Sequence, residues 1–115
     1  MHEMGIAMQI AEIAAAAIPA DMAGKRVERV RLRVGRLSAV VSASLRFCFD
    51  VVARDTPLAN AVLDIEEIPV TAVCDDCGHQ WTADQPHFIC PRCNGGAVRI
   101  LSGRELEVTA IEIEE

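Results

Sequence analysis

The sequence has no tyrosine, one tryptophan and three phenylalanines, so aromatics make up 3% of its 115 residues. A core must therefore be built from Ala, Val, Ile and Leu, with Trp81, Phe47, Phe49 and Phe88 as its few large pieces. Cationic excess is also lacking. The formal charge of -6 and a pI near 5.0 weaken any reading as a general phosphate-backbone binder and disfavour acidic partners. No Lys or Arg precedes Lys25, Glu3 adds a negative charge, and Gln9 and Glu12 interrupt the apolar run from Met4 to Ile18. That run is expected to be structural rather than a signal peptide, and no other stretch approaches membrane-spanning length. A Ser/His/Asp set, a phosphate-cradling glycine loop and a paired-carboxylate motif are missing too, so an enzyme is not expected. The expected compartment is the cytoplasm, where thiols stay reduced and paired cysteines bind metal more often than they form disulfides.

What is present reads as an α+β domain. Ile6, Ile10, Ile13 and Ala17 recur at helical spacing, widened by Ala7, Ala11, Ala14 and Ile18, and Pro19 stops the helix. Arg29 to Val34 alternates strictly, with Val30, Leu32 and Val34 on one face and three arginines on the other. Leu45, Cys48, Phe49 and Val52 mark a second helix, capped by Ser42 or Ser44 and broken at Thr56-Pro57; Cys48 on its apolar stripe reads as a buried, inert thiol. Leu63 to Ile68 alternates with Asp64 and Glu66 outward. A last strand follows Gly103, with a change of phase near Ala110.

The first strand, second helix and second strand form a βαβ unit, so those strands should be parallel with a right-handed crossover. The first strand is basic, and the other two are acidic. Placing it in the middle gives each arginine an acidic cross-strand neighbour. The expected fold is two helices on one face of a three-stranded mixed sheet, with an inserted four-cysteine, zinc-ribbon-like module. The domain would comprise residues 1–70 plus 104–115, and the module residues 71–103.

Within that module, Cys74-Asp75-Asp76-Cys77 and Cys90-Pro91-Arg92-Cys93 are two CxxC units separated by 12 residues. Two residues between cysteines let one tight turn aim both sulfurs at a single ion, and Gly78 and Asn94-Gly95 suit the positive-φ positions of such turns. Four thiolates close a tetrahedron, which marks a structural zinc site; iron in a similar site would be decided by its colour. His79 and His87 read as exposed loop residues rather than ligands. At the other end, the α-amine of Met1 and the amide and imidazole nitrogens of His2 can close adjacent chelate rings, with Glu3 or a partner in the fourth place. A nitrogen-rich, near-planar set suits Ni(II) or Cu(II).

Met1-His2-Glu3-Met4, Gly35-Arg36-Leu37-Ser38-Ala39-Val40, Leu45-Arg46-Phe47-Cys48-Phe49-Asp50, the paired CxxC units and Ser102-Gly103-Arg104-Glu105-Leu106 together resemble the HypA/HybF family of hydrogenase nickel-incorporation proteins. The resemblance runs nearly end to end. It implies nickel at His2, with Met1 and Glu3 adjoining, and zinc at Cys74, Cys77, Cys90 and Cys93. It further implies delivery of nickel to the large subunit of [NiFe]-hydrogenase together with the GTPase HypB, and it leaves a homodimer open. Ser42 stands where many members of the family carry a proline. The competing reading is a zinc-ribbon interaction module for nucleic acid or a protein complex, which the acidic balance opposes.

Overall fold

A computed structural model describes residues 2–83 and 88–115. Two compact units emerge, one of Met1–Arg33, Val40–Glu66 and Glu107–Glu115, the other of Val34–Ala39 and Glu67–Leu106.

The first unit contains both helices. Helix α1 spans Glu3–Ala16 and buries Ile6, Ala7, Ile10 and Ala14. Ile13, expected on that face, is 53% exposed, because the buried stripe follows the smaller Ala7 and Ala14 around the helix instead. The last turn tightens as Ala17 and Ile18 donate to Ala14 and Ala15, and Pro19 then starts a short 3-10 turn at Ala20–Met22. Helix α2, Ser42–Val52, packs against α1 and buries Leu45 and Phe49. Val41 occupies its N-cap and makes no side-chain cap bond, so neither serine is the N-cap. Cys48 is half-buried rather than buried. Of the four aromatics expected in the core only Phe49 is fully inside; Trp81 and Phe88 are half-buried and Phe47 is 68% exposed. Leu45 and Phe49 share one side of α2, whereas Phe47 points about 160° away from Phe49 at 100° per residue.

Strands β1 (Val27–Gly35), β2 (Val62–Ile68) and β6 (Leu106–Ile113) form one sheet in the order β2-β1-β6. The basic strand is central, and the ion pairs report strand direction. Arg29 meets Asp64 at 3.5 Å and Arg33 meets Glu66 at 4.0 Å, so numbering rises together along β1 and β2. On the other side Arg31 meets Glu112 at 3.0 Å and Arg33 meets Glu107 at 3.1 Å, so β6 runs antiparallel. The sheet is therefore mixed. In β6, Val108, Ile111 and Ile113 are half-buried with exposed Thr109 and Ala110 between them, which is the expected change of phase.

The second unit holds a sheet of three short strands, β3 (Val70–Cys74), β4 (Gln80–Ala83) and β5 (Val98–Ser102), in the order β4-β3-β5 with both pairings antiparallel. Its entry and exit lie against the segment after β1. Gly35 donates to the Glu105 carbonyl at 2.7 Å and Leu37 to that of Gly103 at 2.8 Å. A Cβ on Gly35 would fall onto the Gly103 carbonyl group and lie 2.6 Å from the Arg104 nitrogen. Gly103 itself, at φ +117°, has Val70 Cα 3.0 Å from where its Cβ would sit. Three backbones meet where only glycine fits.

Backbone against backbone cannot relax, so Gly35→Ala is expected to destabilise the metal-loaded protein by more than about 3 kcal/mol. The ion pairs of β1 are solvent-screened, and Arg29→Met should cost less than about 1 kcal/mol. Denaturant unfolding of the two variants side by side checks the ordering.

Candidate metal centre

The two CxxC loops are built alike. In the first, Cys74 donates its N–H to the His79 carbonyl at 2.9 Å and Gly78 donates to the Cys74 carbonyl at 2.8 Å. In the second, Cys90 donates to the Gly95 carbonyl at 3.0 Å and Asn94 to the Cys90 carbonyl at 2.8 Å. The same two bonds at the same offsets turn each chain through a tight loop, with a positive φ at Gly78 (+78°) and Asn94 (+59°). Gly95 leaves room for the sulfurs, since a Cβ there would lie 3.1 Å from Cys93 Sγ and 3.1 Å from Asp76 Oδ2.

Each loop contributes one buried sulfur, Cys74 or Cys90, and one exposed, Cys77 or Cys93. The four Sγ atoms all lie within 4.8 Å of one another, with Cys74 and Cys93 3.6 Å apart and Cys77 and Cys90 likewise 3.6 Å apart. Metal–sulfur bonds of about 2.3 Å give a tetrahedron with edges of about 3.8 Å, so the cluster matches the size of a four-thiolate site. Such a site is closed. It can fix structure, and it offers no open position for substrate.

The protons on these sulfurs fit the same reading. Burial opposes the Cys90 thiolate, but the N–H groups of Cys93 and Arg92 and the thiols of Cys77 and Cys93 outweigh it and bring Cys90 down to about 7. For Cys93 the Gly95 N–H favours the thiolate, yet Cys74, burial, Cys77 and Cys90 together push it up to about 12. Cys77 is also raised, with the backbone bond at His79 working against burial and the neighbouring sulfurs of Cys90 and Cys74. Crowded thiols cannot all ionise without a cation among them.

Neighbouring contacts brace the loops. Asp75 donates its N–H to the Ala97 carbonyl at 2.8 Å and takes two bonds on one carboxylate oxygen from Arg99, at 3.0 and 3.3 Å. The His79 ring stacks on Trp81 with centroids 5.8 Å apart. Among the described residues the metal-capable group consists of the four cysteines alone, and His87 lies outside those residues. The Asp75–Arg99 tie has no local sequence signal, since 24 positions separate the partners. The His79–Trp81 pair, two apart where β4 begins, could have been suspected.

Met1 lies outside the described residues; His2 is exposed and Glu3 half-buried at the start of α1. The helix ladder opens with Ile6 N–H donated to the His2 carbonyl at 3.2 Å, so the carbonyl of the His2–Glu3 peptide accepts its first bond while the His2 and Glu3 N–H groups donate to none of it. Of the second predicted site, His2 is thus the N-cap of α1 and Glu3 its first residue.

A profile described as hydrogenase/urease nickel incorporation, metallochaperone, HypA, matches residues 1–113. The chain belongs to the HypA family. A hydrogenase maturation factor HypA of Desulfosudis oleivorans is 56% identical over 115 residues, covering all of both chains. That of Chloroflexus aggregans is 46% identical over 113 residues, covering 97% of this chain and 98% of its own. The solution structure of the Ni metallochaperone HypA from Helicobacter pylori superposes with a TM-score of 0.67 at 23% identity, over 98% of this chain and 97% of that one, and shows the shared fold. As a HypA member the chain is a nickel metallochaperone of hydrogenase maturation and not an enzyme.

Because Cys77 and Cys93 hold protons at neutral pH, loading the HypA cysteine cluster with a divalent ion should release roughly two or more protons per ion. Affinity should therefore rise with pH through the neutral range, and an indicator dye in weak buffer measures the release. Cys90→Ser should abolish stoichiometric loading, whereas Cys48→Ser, away from the cluster, should leave it intact.

Proposed function

We propose that this HypA-family chain holds Ni(II) at its N-terminus through His2 and passes it to the large subunit of [NiFe]-hydrogenase, acting with the GTPase HypB. Cys74, Cys77, Cys90 and Cys93 hold a structural Zn2+ in this reading, and the thiol-rich site suits the reducing cytoplasm. No helix of the described residues is long and apolar enough to cross a membrane. Partners, a second copy of the chain included, would be met in solution.

The observation that carries the nickel assignment is the uncommitted start of α1. Amide nitrogens locked in a helix ladder cannot be given up to a metal, but those of His2 and Glu3 come before the ladder begins. With the amine of Met1 and the His2 imidazole they make a four-nitrogen set suited to Ni(II), with the Glu3 carboxylate at its rim. An exposed site of this kind loads and unloads, as a carrier requires.

The zinc-ribbon reading as a nucleic-acid module gains nothing from the second unit, where Arg36, Arg92, Arg99 and Arg104 are outnumbered by five acids. The division of labour proposed is a cargo domain of residues 1–70 plus 104–115 and a metal-fixed docking module of residues 71–103.

Nickel titration of the untagged protein, of His2→Ala and of a variant with extra residues before Met1 tests the reading. Both changes are expected to weaken nickel binding by about tenfold or more while zinc content stays at one per chain. Unchanged nickel affinity in His2→Ala would sink the N-terminal site.

A further inference from the structure

The arginines of β1 each face an acid, but the next arginine along the chain does not. The Gly35-to-Glu105 and Leu37-to-Gly103 hydrogen bonds, 2.7 and 2.8 Å, bracket Arg36 opposite Arg104 on facing segments of the second unit. Both arginines are exposed, and among the described residues neither has a carboxylate within ion-pair distance. Like charges in facing positions cost stability. The same fold supplies acids to Arg29, Arg31, Arg33 and Arg99, so the unmatched pair has no evident packing purpose. A local arrangement that works against stability points to binding.

A cavity of about 290 Å³ opens beside Arg104, lined by Ile100, Leu101, Ser102, Arg104 and Glu105. Ile100 and Leu101 give it an aliphatic wall, and Leu101 is 48% exposed. The single acid in the lining, Glu105, accepts the Gly103 N–H at 2.7 Å and so is engaged in holding the loop. Strand β5 is an outer strand of its sheet, leaving one edge without a strand partner among the described residues.

We propose that Arg36, Arg104 and this cavity form a docking site for an extended acidic segment of a partner protein. The segment lies along the edge of β5, with a carboxylate on the two guanidinium groups and a neighbouring aliphatic side chain in the cavity. The aliphatic wall favours a carboxylate-bearing peptide over free phosphate, which would leave that wall bare. The chain's own acidic end is engaged elsewhere, since Glu114 bonds through its backbone and its carboxylate to Arg26. The overall negative charge does not forbid such a partner. The first unit has seven basic residues against twelve acidic ones, whereas the second has four against five, and screening at physiological salt confines attraction to the nearest charges.

The test titrates a short blocked peptide alternating Val and Glu into the metal-loaded full chain and follows backbone amide resonances. Shifts are expected at Arg36–Leu37 and Ile100–Glu105, weakening as salt is raised. Arg36→Glu and Arg104→Glu should each lower affinity roughly tenfold. Arg36→Glu gives an independent reading, because it sets an acid opposite Arg104: its melting midpoint should rise as peptide binding falls. Equal binding of the Val/Lys analogue, the same shifts from inorganic phosphate at equal concentration, or unchanged affinity in both variants would overturn the proposal.

Discussion

Four sulfur atoms have to meet within 4.8 Å before the second unit has a centre. Its buried apolar residues are few and small, with Val34, Ile68, Val70, Ala72 and Val73 as the main ones, and two of its deepest side chains are Cys74 and Cys90 themselves. A core of that size cannot offset the conformational entropy of so much loop. An ion held by the four cysteines would supply what the side chains do not, since coordinating thiolates in the folded chain turns binding free energy into folding free energy. The repeated hydrogen bonds of the two loops follow from the same demand. Each must turn within four residues and present two sulfurs on one side, and the positive φ at Gly78 and Asn94 makes the turn.

The first unit is held by different means. Ile6, Ala7, Ile10 and Ala14 of α1, with Leu45 and Phe49 of α2, give it an apolar core that needs no ion. Small residues in α1 let the helices approach closely, and burial of one stripe fixes the helix from its second turn onward. The first turn is left with unused amides and an exposed histidine. One physical fact, that a helix ladder starts four residues in, thereby separates the part of α1 that packs from the part proposed to hold nickel.

Periodicity and charge revealed much of this in advance. Strict alternation in β1, with basic residues there and acidic ones in β2 and β6, was enough to order the sheet, because only a central β1 pairs every arginine. The CxxC spacing was enough to assemble the cysteines. What stayed hidden depended on three-dimensional neighbours. Ile13 and Phe47 are apolar at exposed positions, and composition cannot tell such residues from core. The strands β3 to β5 are four or five residues long and held partly by the loops they support, so they carry little periodicity of their own. The contact of Gly35 with Gly103 joins positions far apart in sequence, and nothing local marks either glycine as indispensable.

The two proposed metal sites differ in a way that bears on how one chain can carry both ions. Thiolates bind nickel as well as zinc, so an unfilled cysteine cluster would compete with the N-terminus for cargo. A filled one would not, because four ligands complete the tetrahedron and two of the sulfurs, Cys74 and Cys90, are shut away from solvent. Exchange there requires the loops to open, and opening them removes the centre of the unit. On the proposed reading the structural ion therefore protects the cargo site as well as the fold. In that reading nickel arriving at a folded, zinc-loaded chain is held at His2, where the helix ladder has not begun, and the exposure of that residue lets the ion be given up again.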